Sequence, residues 1–551
     1  MLLLETGNIK KYYADRLILE LDDFKIYSGD RIGVVGLNGS GKTTLLEILS
    51  GRLEPDEGFI RHYCDIGYIR QFPEEGMESE KTVSENVQSY KLLKEFELVQ
   101  KLEREILSGG ENTRLKIANA FGRDNVLLFA DEPTSNLDYK GIVLLKQKLD
   151  KLESFMLISH DRSLLDDLCN KILEIKDGKI CIFNGNLSFY RQQCELERER
   201  ATVEYERYAD AKEGLEAAIV SRKHRAKTMR KAPSRMGNSE ARLHTRSANE
   251  KQEKLNNAAN SLMTRLEKLE VKEKPRELPG IKLDFSLTNP PQNKIILSAE
   301  KLSFSYDSVA VFMDASLKVY NGVKTALWGE NGSGKTTLLN LIFTNENKNI
   351  KITPKARLAY FKQGFENLKP DGSVLENVMQ DSVQQETVVR TILARLLLQG
   401  DAVYKKVGVL SGGERIKTAF AKMFVSGANV LLLDEPTNYL DMQSIEALED
   451  VLKEYEGTVL LVSHDRAFVN AVADRLFILK NHSIEDFDGK LEEYEARRSV
   501  TKGVPFNDLS AGMERTLLQM RLTQIVVKLS SSVGEKEALE EEYRRLVELL
   551  H

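Results

Sequence analysis

The stretch GLNGSGKTT, residues 36–44, decides the fold class of this chain, and a second version, GENGSGKTT, occupies residues 329–337. Both fit the pattern G-x-x-x-x-G-K-[ST], and both stand between an apolar run typical of a buried strand and a run typical of a helix. The glycines let backbone N–H groups surround a phosphate, and the helix that follows directs its positive end to the same place. The chain is therefore predicted to contain α/β domains that bind a nucleoside triphosphate.

Four further segments also recur, in the same order. They are IGYIRQF (66–72) with LAYFKQG (358–364), LSGGE (107–111 and 410–414), DEPTSNLD (131–138) with DEPTNYLD (434–441), and LISHDR (157–162) with LVSHDR (461–466). Self-similarity of this extent predicts one domain present twice. We refer to these as the first copy and the second copy.

The predicted organisation of the 551 residues has four parts. The first copy covers 1–186 and the second copy 281–499, a helical hairpin fills 187–280, and a C-terminal helical extension covers 500–551. Within the hairpin, apolar residues recur at alternating three- and four-residue steps, which is the seam of an antiparallel coiled coil. The turn is placed at PSRMGN, residues 233–238.

The tip of the hairpin, about residues 222–246, is strongly basic. It holds nine Lys or Arg and one acid, Glu240, although the net charge of the chain is −5. Like charges crowded at one end of a hairpin repel each other unless a polyanion neutralises them, which favours contact with RNA. The alternative is a solvated turn between two helices.

The bulk sequence argues against a membrane protein or a secreted one. No apolar run approaches the roughly 18 residues that a bilayer span requires, and the N-terminus MLLLETGNIKKYY lacks the features of a signal peptide. The four cysteines, at 64, 169, 181 and 194, have no metal-binding spacing. We therefore expect reduced cysteines and a cytoplasmic protein without a membrane partner.

The motifs predict an ATPase that uses ATP and Mg²⁺. Two acids end each predicted buried strand; the first suits the metal and the second suits a general base that polarises the attacking water. A histidine follows the next strand in both copies and is predicted to sense the γ-phosphate. The predicted catalytic residues are Glu132, Glu435, His160, His464, Gln71 and Gln363. The predicted metal ligands are Thr43, Gln71, Asp131, Thr336, Gln363 and Asp434.

Taken together and in this order, the motifs of both copies resemble those of ATP-binding-cassette domains. In that family two cassettes enclose two ATP molecules head to tail, so the LSGGE motif of each copy is implied to complete the site of the other. Tyr13 and Tyr306 resemble the aromatic residue that stacks on adenine, although Tyr12 competes with Tyr13 and both could be ordinary strand residues. The implied ATP-binding set is Tyr13, Gly36, Asn38, Gly39, Gly41, Lys42, Thr43, Thr44, Ser108, Gly109, Gly110, Tyr306, Gly329, Asn331, Gly332, Gly334, Lys335, Thr336, Thr337, Ser411, Gly412 and Gly413.

Two fused cassettes joined by a long hairpin resemble the ABC-F family, whose members bind ribosomes. The resemblance implies a monomer whose partners are the 70S ribosome, its 23S rRNA and the P-site tRNA, with the hairpin entering the tRNA exit site. The family usually has Asn-His where this chain has Ser135-Asn136 and Asn438-Tyr439. The residues expected to contact RNA are Arg222, Lys223, Arg225, Lys227, Arg230, Lys231, Arg235, Met236, Arg242 and Arg246.

Three features favour the antibiotic-resistance members of that family, which act against lincosamides, streptogramin A and pleuromutilins. The hairpin is long, the segment between Gln71 and Ser108 is too short for the insertion of several housekeeping members, and a short helical extension follows the second copy. Four alternatives stay open: a housekeeping translation factor, a ribosome-rescue ATPase, a DNA-binding ATPase and the motor of a transporter.

Overall fold

A computed structural model describes residues 1–70, 93–95, 98, 109–122, 126–135, 137–176, 178–228, 238–272, 284–307, 309–362 and 368–501. Side chains are described for these residues except 109, 228, 238–250 and 499–501. The predicted C-terminal extension lies outside the described residues from 502 onward.

The described helices alternate with strands in both copies. The helices are α1 Lys42–Leu49, α2 Gly109–Phe121, α3 Tyr139–Asp150, α4 Arg162–Leu168, α5 Leu187–Thr228, α6 Asn238–Glu267, α7 Lys335–Thr344, α8 Val374–Met379, α9 Glu386–Arg395, α10 Gly412–Val425, α11 Met442–Glu454, α12 Arg466–Val472 and α13 Leu491–Thr501. Short 3₁₀ turns cover Phe285–Thr288, Gly400–Tyr404 and Val407–Val409.

The described strands number β1 to β19. They are β1 Leu2–Tyr13, β2 Arg16–Leu21, β3 Phe24–Tyr27, β4 Arg31–Gly36, β5 Glu57–His62, β6 Ile66–Ile69, β7 Leu127–Asp131, β8 Ser154–Ile158, β9 Lys171–Lys176, β10 Lys179–Asn184, β11 Ile295–Tyr306, β12 Val309–Tyr320, β13 Lys324–Gly329, β14 Ile350–Ile352, β15 Leu358–Phe361, β16 Val430–Asp434, β17 Thr458–Val462, β18 Arg475–Lys480 and β19 Ser483–Asp488. The α/β fold class predicted from the two phosphate-loop motifs is confirmed.

The chain packs as two compact units. Unit 1 combines Met1–Thr288, Gly364–Gly427 and Thr437–Tyr455, and unit 2 combines Asn289–Gln363, Ala428–Pro436 and Glu456–His551. The sequence repeat divides the chain between the copies, whereas the packing groups α8 to α11 of the second copy with the whole of the first copy. The LSGGE motif of the second copy, which contains the start of α10, therefore belongs to unit 1.

Unit 1 is built on a mixed sheet. Among the described residues it has ten strands in the order β3-β1-β2-β10-β9-β4-β8-β7-β6, with β5 paired to β1. The strands β9, β4, β8, β7 and β6 are parallel to one another. Strand β10 is antiparallel to β9 and parallel to β2, and β1 is antiparallel to β2, β3 and β5. Strands β7 and β8 are buried along their whole length, because helices cover both faces of a parallel sheet.

Two apolar cores cover the two faces of this sheet. On one face, α1 packs Leu45 and Leu49 against β1 to β4 and β7 to β9. On the other face, residues of α2, α3 and α4 share a core with Leu187 and Tyr190 at the start of α5. The base of the hairpin is thus embedded in the core of unit 1.

The hairpin consists of α5, with 42 residues, and α6, with 30 residues. Arg222 donates to the carbonyl of Ala258 at 3.3 Å, and Glu204, farther from the turn, pairs with Lys272 at 3.5 Å. The contact partners change in opposite directions along the two segments: residue 204 lies beside 272, and residue 222 lies beside 258. The helices are therefore antiparallel, as predicted. Ile219 and Ala259 of the predicted seam are buried. Ala201, which the same three- and four-residue steps also place in the seam, is exposed, so the prediction is wrong at this position.

Unit 2 holds the nucleotide-binding strands of the second copy. Among its described residues a six-stranded sheet runs in the order β15-β16-β17-β13-β18-β19, and a three-stranded sheet in the order β12-β11-β14. Helix α7 packs Leu338 and Ile342 into the core between them. None of the helices in the described parts of the chain combines the length and the apolar character that a bilayer crossing requires.

Candidate active site

Each phosphate loop connects a central parallel strand to a helix. In the first copy the loop runs from Gly36 at the end of β4 to Lys42 at the start of α1, and Gly41 has φ 96°. The Lys42 ammonium donates to the carbonyls of Gly36 and Leu37 at 2.9 and 3.0 Å, which curls the loop around its own lysine.

The second loop has the same geometry. Lys335 donates to the carbonyls of Gly329 and Glu330 at 2.8 and 2.9 Å, and Gly334 has φ 95°. The repeat seen in the sequence is therefore also a repeat of hydrogen bonds.

Both loops have the shape of a phosphate cradle. At Gly39 and Gly332, which have φ of 77° and 78°, a Cβ would meet no atom within 4 Å, so these turns face open space. The hydroxyls of Ser40 and Ser333 are buried, and no hydrogen-bond partner occurs for them among the described residues. Buried polar groups are nearly always paired in proteins, so an anion that accepts from these hydroxyls fits the loops.

A hydroxyl and a carboxylate meet beside each loop. Thr43 donates to Oδ2 of Asp131 at 2.7 Å. Burial raises the pKa of Asp131 to about 6, with the hydrogen bond from Thr43 acting in the opposite direction. Burial likewise raises the pKa of Asp434, against hydrogen bonds from Thr336 and Tyr360.

Tyr360 is a site residue that sequence reasoning missed. Its hydroxyl donates to Asp434 at 3.4 Å. The tyrosine at the corresponding place in the first copy, Tyr68, stands in the repeated segment IGYIRQF, so the repeat itself carried the signal.

Of the two predicted general bases, Glu132 is buried and Glu435 is partly buried, and both adopt an unusual backbone conformation. Glu132 and Glu435 have φ of 47° and 49°, in the left-handed region. Burial raises the pKa of Glu132 to about 7, although the charge of Lys42 opposes the shift. Burial also raises the pKa of Glu435 to about 7, opposed by Lys335 and reinforced by Asp434.

Each predicted base lies next to the predicted histidine. Nε2 of His160 is 3.1 Å from Oε1 of Glu132, and Nε2 of His464 is 3.5 Å from Oε1 of Glu435. Burial lowers the pKa of His160 to about 4, and the charge of Lys42 adds to the shift, so this imidazole is neutral at pH 7. A neutral imidazole beside a carboxylate with a raised pKa can orient a water without competing for its proton.

Residues of the second copy meet the first phosphate loop inside unit 1. The Asn38 N–H donates to Oδ2 of Asp441 at 3.0 Å, and its side-chain amide donates to the carbonyl of Tyr439 at 2.8 Å. A Cβ on Gly413 would lie 3.2 Å from Nδ2 of Asn38. Ser411 begins α10 with a capping box, in which its hydroxyl accepts from the N–H of Glu414. The loop of Lys42 and the LSGGE helix of the second copy are thus neighbours.

For several predicted site residues the structure gives no side-chain geometry. Gln71, Gln363, Ser108 and Asn136 lie outside the described residues, and Gly109 and Gly110 are described only as the start of α2. Tyr13 and Tyr306 are 53% and 55% exposed, as rings available for stacking must be, whereas Tyr12 is 36% exposed.

The predicted RNA-contacting residues fall into three groups. Lys223, Arg225 and Lys227 are exposed near the end of α5, and Arg222 is half-buried against Ala258. Arg242 and Arg246 lie on α6, where side chains are not described. Arg230, Lys231, Arg235 and Met236 lie outside the described residues.

Comparison with known proteins identifies the cassettes. Residues 19–135 and 312–438 match the family profile described as "ABC transporter". Among solved structures, "RNase-L Inhibitor" superposes with a TM-score of 0.60 over 90% of this chain and 93% of that chain, at 21% identity, a likeness that concerns the fold.

Curated relatives span nearly the whole chain. The "Erythromycin resistance ATP-binding protein MsrA" of Staphylococcus epidermidis is 32% identical over 500 residues, which cover 87% of this chain and 98% of that protein. The "Ribosome protection protein VmlR" of Bacillus subtilis is 30% identical over 488 residues, 87% of each chain. The "ABC transporter F family member 5" of Arabidopsis thaliana is 29% identical over 561 residues, 88% of this chain and 76% of that protein.

The cassette profile matches both copies, and a relative that is 32% identical aligns with 87% of the chain. The protein binds and hydrolyses ATP, and it belongs to the ABC-F family.

Proposed function

We infer that this protein is a ribosome-binding ATPase whose hairpin enters the tRNA exit site and displaces the P-site tRNA and bound drug from the peptidyl-transferase region. The outcome is resistance to antibiotics of the lincosamide, streptogramin A and pleuromutilin type. One observation carries the proposal. Helix α5 starts in the core of unit 1 and continues for 42 residues to an exposed basic end. At ~1.5 Å per residue, that end stands about 60 Å from the base of the helix.

The chemistry of this distal end suits RNA. Lys223, Arg225 and Lys227 are exposed within five residues and share one sign. Lysine and arginine in such a cluster neutralise phosphates with release of counterions, an interaction that needs no particular base sequence. Two relatives are named for erythromycin resistance and for ribosome protection, and these names support a role in resistance at the ribosome.

The ATP sites supply the driving step in this proposal. Lys42 neutralises phosphate charge, Glu132 polarises the attacking water, and His160 holds the water and the γ-phosphate in position, with Lys335, Glu435 and His464 acting alike in the second copy. Thr43 with Asp131, and Thr336 with Asp434, would hold Mg²⁺, which offsets the charge of the transferred phosphoryl group. Each pair offers one hydroxyl and one carboxylate, so phosphate oxygens of ATP and water molecules would complete the coordination of the metal.

The decisive experiment is co-sedimentation with 70S ribosomes. The Glu132→Gln/Glu435→Gln protein, which should retain ATP, is centrifuged with ribosomes in ATP and in ADP. We expect the protein in the ribosomal pellet with ATP and in the supernatant with ADP. An ATP-loaded protein that stays in the supernatant contradicts ribosome binding, and preference for duplex DNA in a competition assay indicates a DNA-binding ATPase instead.

The resistance part of the proposal needs its own measurement. A housekeeping translation factor or a ribosome-rescue ATPase would also sediment with ribosomes. Expression in a sensitive host should raise the inhibitory concentrations of lincosamide, streptogramin A and pleuromutilin drugs, and Lys223→Glu/Lys227→Glu should remove the effect. Lys212→Glu, an exposed charge reversal in the middle of α5, is the matched control. No change for any of these drugs assigns the protein to translation or rescue.

A further inference from the structure

Two acids on α11 reach from the second copy to the first within unit 1. Glu446 and Glu449 are one helical turn apart and therefore share a face. Glu446 pairs with Arg191 on α5, and Oε1 of Glu449 is 2.8 Å from Nη1 of Arg162 at the start of α4. The Arg162–Glu449 pair is buried, with side-chain exposures of 11% and 7%, whereas the Arg191–Glu446 pair is partly exposed.

Arg162 belongs to the segment that positions the catalytic histidine. It follows His160 and Asp161 directly, and Asp161 caps α4 by accepting from the N–H of Leu164 at 3.0 Å. His160 lies 3.1 Å from Glu132. An anchor on Arg162 therefore acts on the γ-phosphate side of the first ATP site.

Arg191 belongs to the base of the hairpin. It follows Leu187 and Tyr190, which are buried in the same apolar core as Met442 of α11. The hairpin base and α11 are thus joined by an apolar contact and by an ion pair on its rim. One helix, α11, touches both the histidine segment and the hairpin.

In the second copy, the arginine that corresponds to Arg162 pairs with an acid of its own copy. Arg466 stands where the first copy has Arg162, and it pairs with Glu495 on α13, inside unit 2. The segment FNGNLSFY, residues 183–190, aligns with FDGKLEEY, residues 487–494. The residues that follow these segments, Arg191 and Glu495, therefore occupy the same position in the repeat. The first copy therefore has an arginine at the position where the second copy has its internal partner, and both of its arginines need acids from elsewhere.

The acids of α11 have no counterparts in the first copy. Alignment through the two DEPT motifs places Val143 opposite Glu446 and Lys146 opposite Glu449. Lys146 pairs with Asp167 inside the first copy. The α3 helix therefore cannot offer the second copy the contact that α11 offers the first.

We propose that Glu446 and Glu449 are positioning residues that couple the first ATP site to the base of the hairpin, so that the first site controls the hairpin more directly than the second. We call the four residues Arg162, Arg191, Glu446 and Glu449 the charged clasp. The inference rests on the proposed function, because it states how ATP would set the orientation of the hairpin.

Hydrogen–deuterium exchange tests the clasp without ribosomes. The Glu132→Gln/Glu435→Gln protein is labelled with and without ATP, and peptides from 187–198 are followed. We expect ATP to slow exchange at the base of α5. Arg191→Glu should decrease this ATP-dependent slowing by about fivefold, since a partly exposed pair is lost and a repulsion with Glu446 is introduced.

The charge-swapped protein and a control variant make the result specific. Arg191→Glu/Glu446→Arg should restore the slowing, because the pair is rebuilt with reversed polarity, and a merely structural role would not be rescued in this way. Arg198→Glu, the same charge change at an exposed place on α5, should have no effect. Undiminished ATP-dependent slowing in Arg191→Glu, or failure of the swap in a protein with parental thermal unfolding, overturns the clasp.

A second comparison addresses the inequality of the two sites. Lys42→Ala should remove the ATP-dependent slowing at 187–198, whereas Lys335→Ala should leave most of it. Equal loss in both variants overturns the inference that the first site dominates. These outcomes are independent of co-sedimentation, so a failed clasp and a failed ribosome-binding proposal can be distinguished.

Discussion

The main-chain N–H of Asn38 donates to the carboxylate of Asp441 at 3.0 Å, so the first phosphate loop is held by an acid from the second copy. Asp441 also caps α11 by accepting from the N–H of Ser444 at 2.8 Å. Burial opposes ionisation of Asp441, yet the hydrogen bonds from Asn38 and Ser444 and the charge of Lys417 hold its pKa below the usual value. One carboxylate thus fixes both the loop and the helix.

Asp441→Asn should weaken ATP hydrolysis. The variant keeps an oxygen that can cap α11 but loses the charge that strengthens the bond from Asn38, so kcat/KM for ATP should fall about tenfold. Asp401→Asn, an exposed change in the same unit, is the control. Steady-state ATPase assays measure both, and an unchanged kcat/KM in Asp441→Asn contradicts a functional role for this contact.

Glu435→Gln should nearly abolish hydrolysis at the second site. Removal of a general base typically slows the chemical step by about 10²- to 10⁴-fold. Single-turnover hydrolysis of radiolabelled ATP by the Glu132→Gln background, with and without Glu435→Gln, isolates the step. Glu456→Gln, an exposed change nearby in the sequence, should hydrolyse at the parental rate. Turnover retained in the double variant would show that another group activates water.

Arg162→Ala should destabilise unit 1 strongly. The change removes Arg162 from the buried Glu449 carboxylate, and the loss of one member of a buried ion pair costs about 3–5 kcal/mol in the free energy of unfolding. Arg390→Ala removes an exposed pair with Glu386 one turn away, which water screens, so it should lower the free energy of unfolding much less than Arg162→Ala does. Urea denaturation of the two variants provides the comparison. Equal midpoints would mean that the buried pair adds nothing to stability.

Cys169 and Cys181 should differ in their rates of alkylation. Burial raises the pKa of Cys169 to about 12, so its reactive thiolate is scarce at pH 8, while Cys181 is exposed on β10. Iodoacetamide should modify Cys181 at least about tenfold faster than Cys169, because only the accessible thiolate reacts quickly. Peptide mass spectrometry gives both rates. In urea the two rates should converge, and fast labelling of native Cys169 would contradict its burial.

The local chemistry of this protein could be predicted from sequence because it is contained in short segments. The loop around Lys42 needs only its own glycines, and the acid pair Asp131-Glu132 follows from a strand that ends in two carboxylates. Helix α5 was predictable because its apolar period persists over many turns. The proximity of these segments in the fold then follows from the order of parallel strands.

Other relationships depend on contacts between distant residues. The charges of Arg191 and Glu446 are visible in the sequence, but nothing local indicates that they meet across 255 positions. The grouping of α8 to α11 with the first copy likewise arises from packing and not from the repeat. Tyr360 lay in a repeated segment, yet its contact with Asp434 needs the register of β15 against β16.

The left-handed backbone of Glu132 and Glu435 implies that each site gives up some conformational stability to keep a glutamate at the catalytic position. Side chains with a Cβ adopt φ near +50° at a cost of about 1 kcal/mol, which glycine and asparagine largely avoid. The two sites therefore carry a strain that selection for heat resistance alone would remove. Variants recovered from a screen for thermal stability should include Asn or Gly at these positions, and they should have lost the ATPase that the strained glutamates provide.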